Sequence, residues 1–149
     1  MDRKFALAVA RYAHQGQKDK GGKPYVEHPI YVMQLLEDPT EDERKAALLH
    51  DVVEDTFITI ENLRQLGFSD DVVEMVRLVT RPPERPPKGL SYVEWIRSIK
   101  ESGNGGAIKV KIADLRHNLS EKRLNKLPKD IRGGLRKRYE KALSILIVE

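Results

Sequence analysis

The chain has 149 residues and a mass of 17.1 kDa, a length that suits one hydrophobic core and predicts one domain over residues 1–149. Hydrophobic residues at 40% and charged residues at 34% argue against a disordered or membrane-embedded chain. Cysteine is absent, which excludes disulfides, thiolate metal ligands and a cysteine nucleophile, so any metal must be held by nitrogen and oxygen.

Four histidines are present, His14, His28, His50 and His117, and a histidine-dependent site can be assembled from them in few ways. The net charge of +4 is uneven: residues 107–149 hold 12 Lys or Arg against 5 Asp or Glu, while the remainder holds 15 against 18. A basic segment attracts phosphates of any kind, so its sign alone does not select the partner. The N-terminal MDRKFALAVARYAHQG is too polar for a secretory segment, and no stretch approaches the ~20 apolar residues of a spanning helix. A cytoplasmic protein without a membrane partner is expected.

In chain order, Phe5 to His14 is rich in Ala, Leu and Val and predicts a helix ending near Gly16. After a polar loop, Pro29 opens the buried helix IYVMQLLED, which stops before Pro39 because the residue preceding proline avoids the α region. Thr40 and Glu43 stand in capping-box spacing ahead of one helix running from about Glu41 into Val52–Asp55. Thr59 caps a short helix through Leu66 with Gly67 as its stop, although Asn62 stands where a capping box would place Glu or Gln. Ser69 caps a helix carrying Val72, Val73, Val76 and Val79 and ending at Arg81. RPPERPPKG then predicts an extended surface loop. Ser91 starts a helix through Ile99 that contains Trp95, SGNGG is a flexible connection, and AIKVKIADLRHNL is a helix by the spacing of Ala107, Val110, Ala113 and Asn118. A closing helix follows Pro128, with Ile131, Leu135, Tyr139, Ala142, Leu143 and Leu146 as its apolar stripe. No repeat or sustained strand alternation occurs, so the expected fold class is all-α, a compact multi-helix bundle. Trp95 and the proline loop are candidates for an interface between copies.

The segment AALLHDVVEDT, residues 46–56, concentrates chemistry. At ~100° per residue, His50, Asp51, Glu54 and Asp55 share one arc of a helix, and Leu48, Leu49, Val52 and Val53 the opposite arc. Three neighbouring carboxylates repel one another, and a cation relieves that repulsion. Taken alone, the pattern fits a solvated acidic face equally well. Adjacent residues point about 100° apart, so a metal touching both His50 and Asp51 requires further ligands from other helices. His28 in PYVEHPI and Asp114 in KIADL are available, although the first also fits a satisfied loop or core histidine and the second a surface carboxylate paired with Lys111 or Arg116.

The succession HQGQKDKGGKPYVEHPI, AALLHDVVEDT and VKIADLRHNL resembles the HD superfamily and, within it, the hydrolase domain of RelA/SpoT-type alarmone enzymes and their small stand-alone relatives, over about Phe5 to Leu146. The resemblance implies an HD-domain helical bundle with a metal site between helices. It implies His28, His50, Asp51 and Asp114 as ligands of a divalent ion, usually manganese, with Glu54 and Asp55 as the acidic pair that positions or deprotonates the attacking water. It also implies Lys20 as a phosphate contact and Asn118 as a nucleotide contact. Lys122 and Arg123, near Asn118 in the basic third, are further candidates for holding substrate phosphates. His14 and His117 are expected to support the site through hydrogen bonds. The implied substrate is a phosphorylated small molecule, ppGpp by first choice, which loses its 3′ pyrophosphate to leave GDP.

Two departures stand out. Asp19 occupies the place where the alarmone hydrolases usually carry a base-stacking arginine, and an acidic side chain supplies no cation–π contact. Leu115 follows Asp114 where the family more often has arginine, and Arg116 stands one position later. With no room for a synthetase domain, alarmone synthesis is not expected. The competing expectations are an HD-type hydrolase of another metabolite and a non-catalytic nucleotide-binding module. A nucleic-acid binder is disfavoured by the lack of aromatics interleaved with the basic residues, and a homo-oligomer is compatible with the sequence.

Overall fold

The structure, a computed structural model, describes residues 2–148, so the ends of the expected 1–149 unit, Met1 and Glu149, lie outside it. Ten helices and no strand occur among the described residues: α1 Arg3–Ala13, α2 Glu27–Gln34, α3 Glu41–Leu49, α4 Val52–Asp55, α5 Ile60–Gln65, α6 Asp70–Val79, α7 Tyr92–Glu101, α8 Gly105–Asn118, α9 Glu121–Leu124 and α10 Lys129–Ile147. The all-α expectation holds. None of these helices is long and apolar enough to cross a membrane.

Local chemistry sets the starts. Thr40, Ser69, Ser91 and Ser120 each accept a backbone N–H three residues on, and Glu43 and Glu94 complete capping boxes. Asn62 completes a third box at Thr59, its shorter amide reaching the Thr59 N–H at 2.9 Å. Asn104 caps α8, so Gly105 and Gly106 belong to its first turn and not to a flexible connection. A Cβ on Gly106 would stand 2.3 Å from the Met75 sulfur, so glycine is what lets α8 approach α6 this closely.

At the centre, α3 packs on α1, α2, α6 and α8, while α8 reaches α7 and α10. Ala46, Ala47, Leu48, Leu49 and Val52 from the middle of the chain meet Val110 and Leu115 from α8 in the core. Trp95 is buried in the same core, with its indole N–H donated to the Leu78 carbonyl. It is therefore a core residue and not an interface anchor.

The single helix expected from Glu41 to Asp55 is broken. The His50 ring nitrogen Nδ1 donates to the Ala47 carbonyl at 2.7 Å, and the His50 backbone N–H reaches the same oxygen. This tightens the last turn of α3, and Asp51 sits at φ −104°, ψ −4° before α4 resumes. Helix α9, which the sequence did not suggest, fills the passage from Asn118 to Pro128.

Candidate metal centre and active cleft

Three segments converge at the middle of the molecule. The first turn of α2 supplies His28, the α3–α4 break supplies His50 and Asp51, and the middle of α8 supplies Asp114. Ligand atoms of His28, His50 and Asp51 all lie within 4.8 Å of one another, a group able to hold a metal ion. His28 Nε2 is 3.6 Å from Asp51 Oδ2 and 2.9 Å from Asp114 Oδ1, while His50 Nε2 is 3.1 and 3.3 Å from the same two oxygens. Atoms bound about 2.0–2.2 Å from one ion stand roughly 3.0–3.5 Å from one another, so this spacing suits a divalent cation. The break at His50 makes it possible, because on a continuous helix neighbouring side chains diverge.

The surroundings of each ligand fit that assignment. His50 donates its Nδ1 proton to Ala47, which leaves Nε2 for the centre. That atom is fully buried and has no hydrogen-bond partner, because it aims between the two carboxylates. His28 Nδ1 lies 2.7 Å from His117 Nδ1. Burial and the neighbouring His28 push the His117 pKa down to about 4, so His117 is neutral, and the hydrogen bond between the two Nδ1 atoms fixes the His28 ring with Nε2 toward Asp114. Asp51 Oδ2 accepts the Tyr25 hydroxyl at 2.7 Å. Asp114 receives Lys111 Nζ on Oδ2 at 2.8 Å and Asn118 Nδ2 on Oδ1 at 3.2 Å.

Electrostatics follow from burial. Desolvation opposes charge on Asp114, but Lys111 and the two imidazoles overcome it and hold the carboxyl well below its usual range. Desolvation likewise opposes charge on His50, and the Asp51 and Asp114 carboxylates outweigh it to raise the imidazole well above its ordinary value. Without a metal, a proton on His50 offsets the two carboxylates. A divalent ion would offset them more fully and needs the same lone pair.

One turn past Asp51, Glu54 and Asp55 face a cleft of about 270 Å³ that opens onto the cluster, with Arg81, Arg85, Arg123 and Tyr139 on its other walls. Glu54 accepts the Arg81 backbone N–H at 2.8 Å, and burial raises its pKa. Burial, with Asp51 and Glu54 nearby, pushes Asp55 up to about 6. The Asp55 carbonyl accepts Gln17 Nε2 at 2.9 Å, and Gln17 in turn bonds His14 Nδ1. His14 thus supports the site through Gln17 and by packing on Tyr25, whereas His117 touches a ligand directly.

Arg123 donates to Asn118 Oδ1 at 3.2 Å, and with Lys20 these two line a small recess of about 80 Å³ beside the cleft. Lys122 does not line this recess; it lines a neighbouring cavity that it shares with Arg123. Arg116 pairs with Glu37 on the surface and not with Asp114. Asp19 accepts the backbone N–H groups of Gly21 and Lys23 and pairs with Lys126 at 2.9 Å, so its charge orders the loop. Tyr25 and Gln17 were not singled out by sequence, and Lys111 was weighed only as a surface partner. Tyr25 and Lys111 each stand three residues before a ligand, which is the one signal that marks them.

A family model described as HD domain matches residues 6–86. The bifunctional (p)ppGpp synthase/hydrolase SpoT of Escherichia coli K12 is 34% identical over 122 residues, covering 76% of this chain and 17% of that protein. A guanosine-3′,5′-bis(diphosphate) 3′-pyrophosphohydrolase of Vibrio cholerae is 43% identical over 78 residues, covering 51% of this chain and 11% of that protein. The chain therefore spans only about a sixth of the length of the first of these curated relatives and less of the second. Among solved structures, a metazoan SpoT orthologue described as hydrolysing ppGpp superposes with a TM-score of 0.84 at 29% identity, over 97% of this chain and 85% of that one. With the matched region containing His28, His50 and Asp51, the chain belongs to the HD domain family.

Proposed function

We propose that this chain is a divalent-metal-dependent phosphohydrolase that removes pyrophosphate from the 3′ position of ppGpp, leaving GDP, with manganese as its preferred ion. The observation that carries this is the convergence of His28, His50, Asp51 and Asp114 on one buried point beside an acidic pair. The names of the relatives support the choice of substrate.

A divalent ion bound by these four residues supplies Lewis acidity at a phosphoryl oxygen and makes a proton of water easier to remove. The chain itself provides position and proton transfer. Tyr25 and Lys111 hold Asp51 and Asp114 so that one oxygen of each faces the centre. Asp55, with its pKa near 6, is ionised at neutral pH yet basic enough to take the proton of the attacking water. Glu54, fixed by the Arg81 N–H, lies beside it to pass that proton toward the departing 3′ oxygen. Phosphoryl transfer consists largely of positioning and charge neutralisation. Arg81, Arg85 and Arg123 in the cleft, with Lys20 and Asn118 in the recess, face the substrate's phosphates and ribose.

The test is a substrate panel on the purified protein with and without manganese, resolved by anion exchange: ppGpp, pppGpp, GTP and sugar phosphates. Release of GDP and pyrophosphate from ppGpp is expected. Turnover of another substrate alone would overturn the assignment of ppGpp, and turnover of none by metal-loaded protein would overturn the hydrolase.

A further inference from the structure

On the far side of His28 from the active cleft lies another cavity, of about 350 Å³, within the range of small-molecule sites. One wall is a column of rings. Tyr31 lies on His117 with centroids 4.9 Å and planes 13° apart, and His117 lies on His28 with the same spacing. Because His117 is also hydrogen-bonded to His28, the column is anchored in the core, yet Tyr31 itself remains 49% exposed. Leu35, one turn along α2, extends the apolar surface.

Charge is arranged around this platform. Lys23 and Lys122 line the cavity, and neither makes an ion pair among the described residues. Glu27 is the carboxylate of the lining without a partner, since Asp19 is occupied by Lys126 and two backbone N–H groups. The Asp19–Lys126 pair and Arg123 line both this cavity and the recess of Lys20 and Asn118, and Arg123 also reaches the active cleft, whereas Tyr31, Glu27, Lys23 and Lys122 line this cavity and neither of the others.

An anchored aromatic face, a free carboxylate and two free ammonium groups around one nucleotide-sized space match a planar base carrying N–H donors and a phosphate. We propose that this cavity is a second nucleotide site, distinct from the active cleft, which takes a nucleoside monophosphate by stacking its base on Tyr31, accepting base N–H groups on Glu27 and pairing its phosphate with Lys23 and Lys122. The site does not depend on the chain being a hydrolase.

The experiment is calorimetric titration of the full chain, stripped of metal by chelator, with GMP and separately with inorganic phosphate. Saturable binding of one GMP is expected, tighter than that of phosphate. Tyr31→Ala and Lys122→Glu, both at exposed positions, should each weaken GMP roughly tenfold, the loss expected for one stacking contact or one phosphate pairing, while Lys20→Ala leaves it unchanged. Absence of saturation by about 1 mM GMP, equal affinity for phosphate alone, or a loss in Lys20→Ala matching that in Tyr31→Ala would each overturn the proposal. Because binding is read without metal and without turnover, failure of ppGpp hydrolysis leaves this result standing.

Discussion

The imidazole and carboxylate side of the active cleft and the cationic side facing it are held in different ways. His28, His50 and Asp114 are each no more than 4% exposed, and both oxygens of Asp114 are engaged. Across the cleft, Lys20 is exposed and without an ion pair among the described residues, and Arg85 bonds only to carbonyls of its own proline-rich loop. Burying a charge is costly unless partners meet it, so the first side is fixed by contacts among three separate segments, residues 25–28, 47–51 and 111–118. Lys20 and Arg85 stay solvated and pay no such cost, whereas Arg81 and Arg123 are only partly exposed and the Arg81 Nε is buried. Lys20 and Arg85 can therefore change with little effect on folding, which places the metal chemistry in the fold and leaves substrate choice freest at the surface.

The largest break in that contrast comes from the buried side. Asp51→Ala removes one ligand and the acceptor of Tyr25, and is expected to abolish metal retention and lower turnover roughly 1,000-fold, the several kcal/mol that a bound cation supplies. Elemental analysis and steady-state rates check this, with helical circular dichroism retained as the control. Lys111→Met tests the interlocking itself. It leaves the Asp114 carboxylate buried without its ammonium partner, a change that costs about 3–5 kcal/mol. Urea denaturation of chelated protein should show that loss, and added manganese should recover part of it by neutralising the same carboxylate. A loss below about 1 kcal/mol would mean that Asp114 is held by the imidazoles alone.

The same contrast decides what the sequence revealed. Helix starts were legible because caps are local: Thr40, Ser69 and Ser91 each bond a backbone three residues away. The four ligand residues were legible because each sits in a short block whose order resembles a family. The break at His50–Asp51 was not, since helical periodicity runs straight through it and only the ring contact to Ala47 ends the turn. Tyr25 was missed as a positioning residue for the same physical reason, since its partner Asp51 is brought to it by packing of α2 and α3; the Lys111–Asp114 pairing three residues apart was legible, and only its burial, set by the packing around α8, was not. Trp95 looked like an interface residue, but it points into the core from α7 at 4% exposure, with its indole N–H on the Leu78 carbonyl of α6.

A smaller effect sharpens the boundary between the two sides, where Asp55 lies half-way between burial and solvent. Its carboxyl titrates near 6 in the metal-free protein, above the usual 3.8, so the folded state holds this proton more tightly than the unfolded chain does. The sign is therefore a decrease in stability as pH rises through that window, opposite to that of the ligand carboxylates Asp51 and Asp114, whose depressed values cost stability as pH falls. For catalysis the ionised form is the useful one. A bound cation favours that form, so the acidic limb of kcat/KM should fall at or below about pH 6 and disappear in Asp55→Asn along with most of the rate. A limb centred above pH 7 would assign the base elsewhere.

The smallest expected effect lies on the cationic side, at Asp19. The usual arginine of the alarmone hydrolases would have to stand where Lys126 now approaches at 2.9 Å, and where two backbone N–H groups require an acceptor. Asp19→Asn keeps an acceptor and loses only a partly exposed ion pair, so it should cost less than about 1 kcal/mol in thermal or urea melts. Asp19→Arg loses the acceptor and faces Lys126 with like charge, so the gain in affinity for a guanine substrate that a stacking arginine would bring should not appear unless Lys126 is changed as well. Comparing KM for ppGpp in Asp19→Arg and in Asp19→Arg combined with Lys126→Asp separates the two contributions. An improvement in the single variant would show that the loop reorganises freely, and that even the ordered part of the cationic side is set by its substrate and not by the fold.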